Sequence, residues 1–415
     1  MRLSSILFKT LVPWSKQLKL SQPIITHANG SYIYSKNKEI VDFTSGLMVV
    51  NLGHNNKYIK KGFSDYLDNG LAYVSPSSFS TYQRDKLSDR LCDIVDFKDG
   101  KVFYTNAGAD ANETAMFIAN NYTGKQKSIS LKKSFHGGSS IVSCLISGDS
   151  RRFKKQEYYN LPLEPIIPNP NLADNGIESI NTLKQIIKND NNIASLIIEG
   201  SSGSAHCVPY PKGYLKKVQN ICNDNNIVMI CDEVMSGWGR TGSIFAFQKD
   251  DVVPDLITTA KGLTSGYSQL GAVIINNKVS DIYENDQLLT GLTYFGHPLS
   301  CSIANRCLDL YLESDMRLVK NVESRAKLIN TLSQMIARDC DIVNEYRYNG
   351  LLGCIELCRD DPTLLRDINK NFYDNGIYCY MREDRIFISP PLTIEYHTIT
   401  TTMHKIHNIL RQYNK

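Results

Sequence analysis

Two apolar runs of this chain end in charge. Asn226-Ile227-Val228-Met229-Ile230-Cys231 leads into Asp232-Glu233-Val234, and Asp255-Leu256-Ile257-Thr258-Thr259-Ala260 leads into Lys261-Gly262. Each reads as a buried strand that delivers a charged side chain at its C-terminal end. In open α/β sheets that edge is where ligands bind. A carboxylate and an amine brought to one crevice suit pyridoxal phosphate: the lysine forms a Schiff base and the acid keeps the pyridine nitrogen protonated.

Other segments carry chemistry only in company. Asn106-Ala107-Gly108-Ala109 follows a strand and opens a helix. Small residues there let backbone N–H groups approach a phosphate, whose charge a helix N-terminus favours; a tight strand-to-helix turn would use the same residues. Phe135-His136-Gly137 also follows a strand, and an aromatic ring at that place either stacks on a flat cofactor or fills core. Glu199 ends the run Ser195-Leu196-Ile197-Ile198, where a carboxylate is costly unless paired. Gly237-Trp238-Gly239-Arg240-Thr241-Gly242 is a glycine-rich loop in which Arg240 reads as an ion-pair anchor. Thr293 stands in a second such loop, Gly291–Pro298, where His297 before a proline reads as structural.

The elements that must position these residues alternate. Strand-like runs cover Lys101–Thr105, Lys127–Leu131, Ala194–Ile198, Ile227–Cys231, Leu256–Thr259 and Ala272–Ile275, with helical patterns such as Ala111–Asn120 and Tyr214–Asp224 between them. That alternation predicts an α/β fold with a mainly parallel sheet covered by helices on both faces. From about Leu299 the pattern changes to long helices, Ser300–Glu313 and Val319–Arg338. Short strands at Gly350–Leu357 and Arg385–Ile388, a Pro390-Pro391 break and a last helix near Glu395–Gln412 complete a smaller α+β domain. A candidate hairpin, Ser31–Tyr34 with Ile40–Phe43, packs with that domain. The predicted division is 1–50, 51–298 and 299–415.

Composition excludes several classes of function. The net charge of +4 from 46 basic and 42 acidic residues, with no basic block, argues against nucleic acid as a partner. No apolar run approaches the roughly eighteen residues of a membrane span, so no membrane partner is expected. Eleven scattered cysteines, an odd number and many inside apolar runs, read as reduced thiols of a cytoplasmic protein. The close pair Cys354 and Cys358 lacks a second pair at zinc-finger spacing, and no metal site is expected. Arg2, Lys9, Lys16 and Lys19 precede the first acidic residue, Glu39, a bias resembling a transit peptide. Arginines are few there and Trp14 already reads as part of the fold, so cytoplasmic placement is kept.

Together the motifs N-x-G-A-x-A-N-E (Asn106–Glu113), F-H-G (Phe135–Gly137), D-E-V-x-x-G-x-G-R-T-G (Asp232–Gly242), P-D…K-G-L (Pro254–Leu263) and T-Y-x-G-H-P (Thr293–Pro298) resemble the class III, or subgroup II, pyridoxal-phosphate aminotransferases. The resemblance runs from about Trp14 to the C-terminus. It implies a fold-type I architecture with a mainly parallel seven-stranded sheet and a homodimer with shared active sites, possibly paired into a tetramer. It also implies roles. Lys261 carries the cofactor and shuttles the proton, Asp232 pairs with the pyridine nitrogen, and Val234 packs on one ring face while Phe135 stacks on the ring. Gly108 and Ala109 bind phosphate through their amides, His136 and Glu199 belong to the cofactor site, and Thr293 reaches the phosphate of the neighbouring subunit.

Departures from the family pattern bear on the substrate. Phe135 replaces the usual tyrosine, Asp110 the usual glutamate, and Glu199-Gly200 the usual E-P. Members acting on ornithine, acetylornithine or 4-aminobutyrate grip an α-carboxylate with an arginine where this chain has Phe387, so that bidentate grip is missing. The ω-amino acid:pyruvate branch, including taurine–pyruvate aminotransferases, carries an arginine on a loop upstream. Arg382 fits that place and Arg385 is the fallback, and both are equally readable as solvated surface charges. Met48, where many relatives have tryptophan, and Tyr73 are the other candidate substrate contacts. The expected reaction is ping-pong transfer of an amino group from an ω-amino acid, amine or aminosulfonate to an oxo acid, with pyruvate favoured. A 2-oxoglutarate-using aminotransferase, a racemase, phospholyase or decarboxylase on the same scaffold, and a non-catalytic relative stay open as alternatives.

Overall fold

The computed structural model describes residues 10–14, 22–36 and 38–414. The basic residues Arg2, Lys9, Lys16 and Lys19 lie outside the described residues.

The central sheet has seven strands in the order Lys101–Thr105, Gly271–Ile275, Leu256–Thr259, Val228–Asp232, Ile193–Glu199, Lys127–Leu131 and Ile166–Ile167. All neighbours are parallel except Gly271–Ile275, which runs antiparallel to both of its partners. Ile193–Glu199 and Val228–Asp232 are buried at every position. Covered on both faces, such strands need apolar residues throughout, which is why they read as continuous runs. Register then sets the site: Glu199 pairs with Asp232, and Asp232 with Thr258, in one row at the C-terminal edge. The helix Gly108–Thr123 lies across this sheet and buries Ala111, Ala115 and Ala119, one stripe at helical spacing.

A second sheet, Val343–Asn349, Leu352–Leu357, Arg385–Ile388 and Met381–Arg382, is antiparallel and packs with the helix Val322–Asp339, which in turn packs on Tyr396–Leu410. A third joins His27–Asn29, Tyr32–Ser35 and Lys38–Asp42 to Ile377–Tyr378, so the two ends of the chain share one sheet. The helix Pro298–Lys320, interrupted by non-helical residues from Glu313 to Met316, packs on Lys57–Leu67 and Tyr82–Ile94. It ties to them through Arg90–Asp309 (3.0 Å) and Arg306–Asp65 (2.6 Å).

Arg240 is fully buried, and its acceptors are neutral. It donates to the carbonyls of Leu351 (3.1 Å) and Pro390, to Ser45 Oγ (3.3 Å) and to Asn51 Oδ1 (2.6 Å). The ion-pair anchor expected of this loop is thus a hydrogen-bond anchor joining three segments. Burial pushes the guanidinium down to about 10.

The backbone at Gly200 lies against Glu233. A Cβ there would fall on the carboxyl group of Glu233, which is fully buried and accepts from Ser236 Oγ (2.6 Å) and the Phe247 amide (3.0 Å). Burial raises the Glu233 carboxyl to about 7. Between its unfolded value of about 4.5 and 7 the native state holds the extra proton, so stability falls as pH rises through that window. The loss amounts to about 3 kcal/mol. Glu233→Gln is expected to remove most of this slope in urea melts run from pH 5 to 8; an unchanged slope would place the titration elsewhere.

Candidate active site

A cavity of about 500 Å³ opens at the C-terminal edge of the central sheet. Gly108, Ala109, Phe135, His136, Glu199, Asp232, Val234 and Lys261, eight of the residues singled out in the sequence, all line it. Lys261 follows the strand Leu256–Thr259, begins a short 3₁₀ turn at φ 44°, and is partly exposed to the cavity. Burial pushes its ammonium below the usual lysine value, against the pull of Asp232 and Glu199, with Arg240 adding to the depression. An amine biased toward its neutral form is the nucleophilic form.

Asp232 is held on both oxygens. Oδ1 accepts from the Val234 amide (3.0 Å), and Oδ2 accepts from Asn112 Nδ2 (2.7 Å) and stands 2.8 Å from His136 Nδ1. Asn112 also donates to the His136 carbonyl (2.7 Å) and accepts from Thr258 Oγ1. The buried carboxylate is therefore satisfied and fixed in direction. His136 is fully enclosed, its amide donates to Ser147 Oγ (2.9 Å), and its Nε2 is a buried atom without a partner. Glu199 accepts from the amides of Gly203 (2.7 Å), Ser204 (3.1 Å) and Phe135 (3.3 Å), which gives the strand-tip carboxylate its partners.

The cradle at the helix N-terminus fits a phosphate. The helix begins at Gly108 and its cap residue Ala107 makes no side-chain capping bond, so the first-turn amides keep their donors free of such a cap. A Cβ at Gly108 would stand 2.7 Å from Val234 Cγ1, so glycine alone fits beneath that side chain. An amine, a directed carboxylate, a flat aromatic and an anion-binding helix end around one cavity form a donor set suited to pyridoxal phosphate.

The other candidates lie apart from this cavity. Thr293 is exposed, and its carbonyl accepts from the Tyr73 hydroxyl. Met48 is buried in a small cluster with Cys207, Leu352, Cys354 and Phe387, while its neighbour Val49 lines the cavity. Arg382 pairs with Asp149 (3.4 Å) and Glu383 (3.2 Å). Arg385 is buried, pairs with Glu383 and donates from Nη1 to the carbonyl of Ser204 (2.6 Å), which does line the cavity. Burial lowers its guanidinium, and Arg382 lowers it further. Sequence reasoning missed Asn112, although its place one turn after Gly108 on a buried helix face was available, and Ser204, whose loop has no pattern to mark it.

Whole-chain comparisons give the family. A family model, aminotransferase class-III, matches residues 15–410. The taurine:2-oxoglutarate aminotransferase of Bifidobacterium kashiwanohense, solved in complex with PLP and glutamate, is similar at TM-score 0.90 and 30% identity, over 97% of this chain and 95% of that one. An amine transaminase from an uncultivated Pseudomonas species, solved in its PLP-bound form, is similar at TM-score 0.90 and 25% identity, over 97% and 98% of the chains. The adenosylmethionine-8-amino-7-oxononanoate aminotransferase of Helicobacter pylori is 29% identical over 94% of this chain and 92% of its own. The chain belongs to the class III aminotransferases, enzymes of fold-type I that use pyridoxal 5′-phosphate.

Proposed function

We propose that this aminotransferase moves an amino group from an ω-amino acid, amine or aminosulfonate to pyruvate in a ping-pong reaction. When bound, the cofactor supplies an electron sink for the charge left when the substrate carbon loses its proton. Lys261 would hold the cofactor, and its Nζ, once the substrate amine has displaced it from that bond, would take the proton and return it. Asp232, directed by Asn112 and His136, fixes a positive charge opposite its carboxylate. The amides of Gly108 and Ala109 would bind the phosphate, Phe135 and Val234 would pack against the ring, and Glu199 orders the Gly203–Ser204 loop beside the cavity.

The observation that carries the choice of acceptor is Phe387. It is buried among Met48, Cys207, Leu352 and Cys354, so the position offers apolar packing and no cation where the ornithine, acetylornithine and 4-aminobutyrate enzymes, which pass the amino group to 2-oxoglutarate, grip an α-carboxylate. Arg385, one residue behind the cavity wall, and Arg382 remain as the cations for a single carboxylate or sulfonate. The similarity to a taurine:2-oxoglutarate aminotransferase favours a second reading, with 2-oxoglutarate as acceptor.

The exposed Tyr73–Thr293 contact, with Phe79, Tyr82 and Tyr294 also exposed, supports a homodimer in which Thr293 serves the partner's phosphate. The sheet that joins His27–Asp42 to Ile377–Tyr378 supports the divisions 1–50, 51–298 and 299–415, and the buried free thiols support cytoplasmic placement. Among the described residues no helix is long and apolar enough to cross a membrane.

Half-reactions separate the two acceptors. The loaded enzyme is treated with β-alanine, taurine or a diamine until its visible band collapses, then with pyruvate or 2-oxoglutarate. Return of the band with pyruvate alone is expected. Return with 2-oxoglutarate alone would overturn the argument from Phe387, and a band that no amine collapses would favour a racemase or lyase.

A further inference from the structure

We propose that Arg151 is a positioning residue for the cofactor: its guanidinium bears on Phe135 from behind and holds that ring ready to stack. This rests on the reading that Phe135 stacks on the cofactor ring. Phe135 lines the cavity and Arg151 does not. The guanidinium carbon of Arg151 lies 4.0 Å from the centre of the Phe135 ring and 4.7 Å from that of Trp14.

The guanidinium is itself fixed. Arg151 Nε donates to Asp149 Oδ2 (2.7 Å), its Nη2 pairs with the same oxygen, and its backbone amide donates to Asp149 Oδ1 (2.8 Å). Asp149 is 8% exposed and also receives Arg382 at 3.4 Å. Burial raises the Asp149 carboxyl, but its bonds to Arg151 and the charge of Arg382 outweigh this and hold it below its usual range. It stays an anion and keeps the planar fork in place. Trp14 completes the support: a Cβ at Gly138, a cavity-lining residue, would stand 2.7 Å from the indole, so glycine lets the ring close on the wall.

Phenylalanine makes this support necessary. A tyrosine hydroxyl could tether the ring by a hydrogen bond, whereas among the described residues Phe135 is held through its backbone amide on Glu199 (3.3 Å) and by what packs on its face. A cation over an aromatic face is attracted by the ring quadrupole. Fixing the ring beforehand lowers the ordering cost of cofactor binding.

The test titrates apoprotein with pyridoxal phosphate, following absorbance, alongside apoprotein melting, for the wild type, Arg151→Met, Arg151→Lys and Phe135→Leu. Arg151→Met is expected to weaken binding by about 3- to 30-fold at a temperature well below the apoprotein melt, which itself falls because buried Asp149 loses its partner. Arg151→Lys, which keeps the charge but loses the plane, recovers only part. Unchanged binding in Arg151→Met, measured where the apoprotein is still folded, overturns the proposal. If Phe135→Leu weakens binding while Arg151→Met does not, Arg151 alone is excluded. If neither weakens it, the stacking role of Phe135 falls as well.

Discussion

Lys261→Ala is expected to leave a folded protein whose transamination rate is lower by at least about 10³-fold, because both the attachment point and the proton-transfer base are removed. The fold should tolerate the change. Lys261 sits at φ 44°, a conformation equally costly for alanine, so no new strain arises. Burial disfavours the protonated amine, and that cost is present at neutral pH, below the ordinary lysine value of 10.5. Alanine removes it, so the apoprotein should melt at or above the wild-type temperature. Stopped activity in a protein that melts normally is the predicted pair of results; near-normal turnover would remove Lys261 from the mechanism.

Asp232→Asn should lower kcat by about 10²- to 10⁴-fold, the range for loss of a group that stabilises developing charge or positions a proton. The change is nearly isosteric. It keeps an oxygen for the Val234 amide but loses the charge, and places an amide where Oδ2 now accepts from Asn112. The variant should still attach cofactor at Lys261, so its visible band persists while substrate converts slowly. A kcat within about threefold of wild type would mean that the carboxylate only packs the strand end.

Much of this was legible in the sequence, for identifiable reasons. Short β-branched and aromatic runs bounded by lysine, turn residues or glycine let Lys101–Thr105, Lys127–Leu131 and Leu256–Thr259 be delimited to the residue, and the fully buried strands Ile193–Glu199 and Val228–Asp232 stood out as apolar runs. The charges that end them stood out against those runs, and parallel register places such ends in one row. Support from a distance was less legible. Asn112 touches Asp232 only because the helix Gly108–Thr123 crosses the sheet, and Arg240 finds four neutral acceptors on segments far apart in sequence. The places of Met48, Arg382 and Arg385 depend on how irregular loops fold, where no periodicity reports burial. Met48 turned inward to Phe387, and both arginines found carboxylates. Gly200 could be seen as a departure, but its contact with the buried carboxyl of Glu233 becomes visible only in three dimensions.

The central claim is that Lys261 carries the cofactor at the cavity formed with Asp232. Borohydride reduction of the loaded enzyme, followed by proteolysis and peptide mass analysis, tests it most directly. The pyridoxyl group is expected on the peptide containing Lys261 and absent from Lys261→Ala treated in the same way. Its recovery on another lysine, such as Lys133, or on no peptide of an enzyme that turns over, would contradict the account.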